Sequence, residues 1–270
     1  MYLADIIIKF SGNIKALLLG TLHNVASVGV FSVASQITMI SDMFHSSIVT
    51  VSQPIIAEIS SRGDRDQLKN FYQTVSRWSL TLNFPLFLAL LLFPGPIISI
   101  FGESFTTGIV VLKILAWNGL VNTGTGICGV LIDMSGNTRL KLVNTITSVT
   151  VSISLSLLMI PAWGLIGAAI ASLSSAIIIN LLRLIEVFIL FRLLPYNSTF
   201  LKPLIAGGIA FSLMWVASWF YPVVDLIHLI VNMPLLFIVY ICVLLLLGLS
   251  EEDRLVMSRL RRRVENMLSR

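Results

Sequence analysis

A short set of ionisable and amide side chains lies inside long apolar runs of this 270-residue chain. Burying a charge in hydrocarbon costs roughly 2.5 to 3.5 kcal/mol even on a lenient scale, so each such residue needs a partner or a wet cavity. In the first run Asp5, Lys9 and Asn13 recur at steps of four, forming one polar stripe on a helix, with Lys15 close behind. In the second, Ser35, Thr38, Asp42, His45, Val49 and Gln53 trace a mostly polar stripe at helical spacing. The fourth run holds Lys113 one turn before Trp117, which permits a cation over an aromatic face, and the pair Asn118 and Asn122.

These residue types can bind; they do not make a catalytic set. Cations and amides offer donors to an anionic headgroup without covalent chemistry. Asp42 and His45 read either as a proton or sodium site or as a satisfied pair within a polar interface, and Asp5 with Lys9 reads either as such a pair or as one polar face of an aqueous cleft. Arg183 and Glu186, near the end of the sixth run, read as a structural ion pair. The expected outer loops offer only His23, Glu103, Asp225 and His228 as ionisable groups, spread over three loops with no arginine. Neither a nucleophile with a base nor a metal-ligand cluster is visible, and no cofactor is implied.

Two apparent motifs dissolve on inspection. Gly124, Gly126 and Gly129 spell G-x-G-x-x-G, but no strand precedes them, as a dinucleotide site requires. Glycine there suits close helix packing or a local unwinding where backbone lines a cavity. Asn197-Ser198-Thr199 is a chance glycosylation match on the expected cytoplasmic side. Cys128 and Cys242 sit in apolar runs and read as structural thiols.

The elements that position these residues are membrane spans. The chain is 56% hydrophobic and 11% charged, against about 25% charged for soluble domains. Its mean hydropathy is +0.94. Apolar windows place spans near 3–20, 28–57, 72–93, 107–134, 140–160, 165–191, 201–221 and 228–248, an all-α integral membrane protein of about eight helices. The second exceeds what hydrocarbon needs, so its end projects into the cytoplasm. Asp5, Lys9 and Lys15 interrupt the first stretch and no small-residue cleavage site follows, so it reads as a span and not as a signal peptide.

Cations occupy every second connection. Arg62, Arg65, Lys69, Arg77, Arg139, Lys141, Arg192, Lys202 and the tail from Arg254 to Arg270 fall on one side. On the other, helices end on breakers instead: Gly20 to Asn24, Pro94-Gly95-Pro96 with Gly102, Pro161 to Gly164, and Tyr221 to Asp225. The positive-inside rule then puts both termini in the cytoplasm of a multi-pass protein of the plasma or inner membrane. The net charge of +5 is a topology signal with some attraction for anionic lipid, not a nucleic-acid footprint. Residues 250–270 open on Ser250 and three acids and continue with Val256, Leu260, Val264 and Leu268 against an arginine-rich face, which predicts an amphipathic helix on the cytoplasmic leaflet.

Several segments in order resemble the polysaccharide flippases of the multidrug, oligosaccharidyl-lipid and polysaccharide exporter superfamily. They are Val28-Gly29-Val30-Phe31-Ser32-Val33-Ala34, Pro94 to Phe105, Val130-Leu131 through Gly136-Asn137, Ile160-Pro161-Ala162-Trp163-Gly164 running on to Ser172, and Gly248 to Arg254. The resemblance implies a six-helix bundle over residues 1–194, the second of two that face a central cavity, two added helices over 195–249, and a basic tail over 250–270. It implies export of a polyprenyl-pyrophosphate-linked glycan from the cytoplasmic to the outer leaflet, with Lys9, Lys15 and Lys113 as candidate cavity cations. Asn13, Asp42, His45, Asn118 and Asn122 complete the candidate substrate-binding set. It also implies a first bundle, from elsewhere in a longer protein or from a second chain. Related proteins often carry an acid where Lys15 stands. A drug or cation antiporter, a membrane-embedded glycan polymerase or ligase, and a non-transporting subunit of a split transporter are the alternatives.

Overall fold

The computed structural model describes residues 14–134, 136, 138–220 and 226–248. Asp5, Lys9, Asn13 and the basic tail lie outside the described residues. Helix α1 covers residues 14–22. It is followed by α2 (Val25–Arg62), α3 (Arg65–Leu92), the short α4 (Pro94–Ser99), a 3₁₀ turn over Glu103–Gly108, α5 (Ile109–Gly124), α6 (Cys128–Met134), α7 (Thr138–Phe191), α8 (Leu201–Phe220) and α9 (Leu226–Leu246). Among the described residues six helices are long and apolar enough to cross a membrane, and no strand occurs.

Local chemistry sets the boundaries. The Asn24 side chain accepts from the Ser27 amide at 2.7 Å and so caps α2. Its far end closes on Gly63, whose φ of 69° is the left-handed conformation glycine reaches without a Cβ penalty. Asp64 then caps α3 by accepting from the Gln67 amide at 3.0 Å.

Helix α7 spans 54 residues and would run about 80 Å if straight, far beyond a bilayer core of about 30 Å. Gly164 breaks it, with φ 53° and ψ −126°. Asn144 donates from Nδ2 to Glu186 Oε2 at 2.6 Å across 42 residues, so the two halves lie antiparallel as a hairpin. The spans expected at 140–160 and 165–191 are its two arms. Gly167 lies so close to the Met159 carbonyl on the opposite arm that a Cβ would overlap it. The turn at Gly164 packs on the His23 ring at the end of α1.

The fourth expected span, 107–134, is split. The chain unwinds between α5 and α6 through Thr125 to Ile127, with Gly126 at φ 73°. The glycine cluster therefore serves a local unwinding, as its membrane setting suggests.

Helix α3 is the most buried span. It packs on α2, α5, α8 and α9. One apolar core, around Phe84, Phe87, Leu88 and Leu112, runs without interruption into Ala206, Ala210 and Leu236 of α8 and α9. Tyr240 stacks on Phe84 with ring planes 15° apart and donates its hydroxyl to the Thr81 carbonyl at 3.1 Å. Gly207 meets the Phe84 ring where any Cβ would sit. Gly207→Val should therefore pry α8 from α3 and cost about 1 to 3 kcal/mol, the range for overpacked cores. A lowered unfolding midpoint in detergent is the expected result, and an unchanged midpoint would contradict this packing.

Candidate functional site

A polar cleft runs through the bundle where hydrophobic packing would otherwise be continuous. It has two lobes, of about 390 Å³ and about 220 Å³, which share Asn122, Asn180 and Arg183. Lys15 enters from α1 and His45 and Gln53 from α2. The unwound α5–α6 junction supplies Gly126 and Gly129. The α7 arms supply Asn144, Thr145, Ser148 and Ser152 on one side and Ser172 and Ser175 on the other.

A hydrogen-bonded frame holds the centre. Asn180 donates to Asn122 Oδ1 at 2.8 Å and to the Ala176 carbonyl at 2.9 Å, and it accepts from the Thr125 hydroxyl at 2.9 Å. Lys15 Nζ donates to Ser172 Oγ at 3.3 Å, which ties α1 to the second arm of α7. Lys141 pairs with Asp133 at 3.0 Å, so that part of the rim is charge-balanced.

Arg183 is different. The ion pair expected between Arg183 and Glu186 does not form; the Glu186 carboxylate is taken by Asn144. The guanidinium instead lies 3.6 Å from the point where a Cβ on Gly129 would stand, so α6 presents a bare backbone for it to rest on. No salt bridge to Arg183 occurs among the described residues. Two further atoms invite donors: Asn118 Oδ1 and Asn144 Oδ1 are buried without a hydrogen-bond partner. Buried acceptors left unmade cost about 1 to 3 kcal/mol each. Cations beside unfilled acceptors suit a ligand that carries both an anion and hydroxyl groups.

The expected site residues divide. Lys15, His45, Asn118 and Asn122 line this cleft. Asp42 does not: it lies on the exposed face of α2, beside Met39 and Met43. The Asp42–His45 pair does not form, because His45 Nδ1 hydrogen-bonds Ser79 Oγ of α3 at 2.6 Å. One turn away Ser41 donates to Asn83 Oδ1, and Asn83 returns a bond to the Ser41 carbonyl at 3.1 Å. The polar face of α2 is thus shared between a zipper to α3 and an open surface. Lys113 lines a separate cavity of about 520 Å³ with Phe93, Phe211 and Trp215. Trp117 packs edge-on to Phe87 at 4.8 Å, with no cation over it.

Sequence reasoning missed Asn180 and the hydroxyl-bearing faces of α7, and it gave Arg183 to an ion pair with Glu186 and not to the cleft. The signal was present: Asn144, Ser148 and Ser152 recur at steps of four, as do Ser172, Ala176 and Asn180.

Comparison with known proteins agrees with this architecture. Residues 1–110 match the family described as polysaccharide biosynthesis protein. Over 156 residues the chain is 26% identical to the probable low-salt glycan biosynthesis flippase Agl15 of Haloferax volcanii, a match covering 57% of this chain and 33% of that protein. Its fold matches the structure of lipid II flippase MurJ in an inward closed conformation, with a TM-score of 0.72 and 16% identity, over 91% of this chain. The chain spans about half of the flippase structure (51%) and the match covers a third of the curated relative (33%). The resemblance to the polysaccharide flippases carried by the sequence motifs is thereby borne out as a resemblance: this is an all-α integral membrane protein similar to such flippases over part of their length.

Proposed function

We propose that the chain forms one lobe of an exporter that moves a lipid-linked oligosaccharide or polysaccharide precursor from the cytoplasmic to the outer leaflet. The observation that carries this reading is Arg183, a guanidinium free of salt bridges to the described residues, in an amide- and hydroxyl-lined cleft inside an apolar bundle. A polyprenyl-pyrophosphate-linked glycan supplies the matching chemistry. Its phosphates meet Arg183 and Lys15, its sugar hydroxyls donate to Asn118 and Asn144, and its tail stays in lipid.

Transport by alternating access needs a second bundle. The surface of α2 supports one: Gln36, Asp42, Ser46, Ser47 and Thr50 are exposed along a helix whose span is only 28% buried. The Ser46, Ser47 and Thr50 hydroxyls bond carbonyls of their own helix, but lipid is a poor neighbour for Gln36 and Asp42, and another helical lobe, from a longer chain or a partner chain, suits them. The antiporter reading rested on Asp42 acting with His45, and the geometry that separates them weighs against it.

The two lysines give a test. Lys15→Gln should lower surface glycan export about tenfold, the value of one charge-assisted contact. Lys113→Gln, in its separate cavity, should stay within about twofold of wild type. Surface glycan per cell, normalised to transporter in the membrane, is the readout. Equal loss in both variants, or none in Lys15→Gln, would sink the assignment of the cleft.

A further inference from the structure

On the face that the positive-inside rule assigns to the cytoplasm, a further cavity of about 420 Å³ opens between the α2–α3 turn and the end of α7. It shares no residue with the cleft, and its lining begins further along the same helices, at Ile59 of α2 beyond Gln53 and at Ile189 of α7 beyond Arg183. Two arginines line it. Arg65 spends one donor on the Phe191 carbonyl at 2.6 Å, where a cation also suits the negative end of α7. The remaining donors of its five-proton fork are available. Arg192 lies with its guanidinium carbon 5.6 Å from the centre of the Phe188 ring.

Arg192 is also the one non-glycine residue at positive φ among the described residues, with φ 55°. Glycine is the usual occupant of such a helix end, so a bulky cation here is held against its backbone preference. The opposing charge is limited. Asp64, whose carboxylate caps α3, sets one negative charge against the two arginines of the lining, and Arg62 is neutralised by Glu58.

Beneath the arginines the lining turns apolar, with Ile59, Leu68 and Leu193 buried. Next to them Ile189 and Leu190 of α7 are 63% and 45% exposed. Two arginines lining one cavity beside an outward apolar strip match one kind of molecule. We propose that this cavity holds an anionic phospholipid of the cytoplasmic leaflet, its phosphate between Arg65 and Arg192 and an acyl chain along Ile189 and Leu190. The lipid is retained and not transported, and it ties the α2–α3 turn to the end of α7.

The test uses the full chain in nanodiscs of mixed phosphatidylglycerol and phosphatidylcholine, followed by detergent extraction and mass measurement of the lipids that stay bound. The wild type should retain phosphatidylglycerol in preference to phosphatidylcholine. Each of Arg65→Gln and Arg192→Gly should reduce that preference about fivefold, the worth of one cation at an anionic surface. Arg192→Gly also removes the left-handed constraint, so its fold is held at least as well and a loss of lipid cannot be ascribed to unfolding. The basic tail is common to all variants, so differences report this cavity. Equal retention of both lipids by the wild type, or full retention by both variants, would overturn the proposal. Displacement of the lipid by excess inorganic phosphate would overturn it too, marking a site for a soluble anion.

Discussion

Arg183→Gln should weaken binding of a polyprenyl diphosphate by roughly ten- to a hundredfold, with the fold intact. The magnitude is that of hydrogen bonds to a charged group, about 1.5 to 3 kcal/mol. The fold survives because Arg183 makes no salt bridge to the described residues, so its loss strands no partner there. Arg183→Lys should recover only part of the affinity, since an ammonium lacks the planar fork that grips two phosphate oxygens at once. Equilibrium binding of a fluorescent polyprenyl diphosphate to the protein in nanodiscs measures this. Wild-type affinity in Arg183→Gln would show that the guanidinium does not meet the headgroup.

Gly164→Val should prevent the α7 hairpin from closing. Two costs add. The conformation at φ 53° and ψ −126° is one that β-branched residues avoid, worth on the order of 1 to 3 kcal/mol, and a Cβ would enter the His23 ring. The cleft depends on this turn, because its two arms supply the facing serine and asparagine rows. Cysteines placed by Asn144→Cys and Glu186→Cys, at positions whose side chains meet in a 2.6 Å hydrogen bond, should be bridged by a short bifunctional thiol reagent in the parent and not with Gly164→Val added. Efficient cross-linking in the combined variant would refute the role given to Gly164.

Much of the architecture is legible in the sequence because helix breakers within apolar runs have few other uses. Pro161 to Gly164 marks the hairpin turn, and the Gly124, Gly126 and Gly129 cluster marks the unwinding between α5 and α6. The site is less legible, for geometric reasons. Adjacent residues on a helix point about 100° apart, so Ser41 enters the α3 interface while Asp42 faces outward. A polar stripe read from spacing alone cannot tell which neighbour takes each part of it. Arg183 and Glu186, three residues apart, look like an ion pair on an isolated helix. The antiparallel arm of α7 brings Asn144, 42 residues away, to take the carboxylate and leave the guanidinium in the cleft. Lys113 counts among the candidate cavity cations on the resemblance, yet α5 turns it toward α8.

The central claim is that the cleft carries a phosphorylated, glycosylated lipid headgroup across the bilayer. Its most direct test reconstitutes the protein at its full natural length in vesicles that contain a polyprenyl-pyrophosphate-linked oligosaccharide, then follows the share open to an impermeant glycosidase outside. Wild-type vesicles should expose nearly all of the lipid-linked glycan with time, while Arg183→Gln vesicles should stall near the outer-leaflet share. Equal exposure in protein-free and wild-type vesicles, or in wild-type and Arg183→Gln vesicles, would contradict the account.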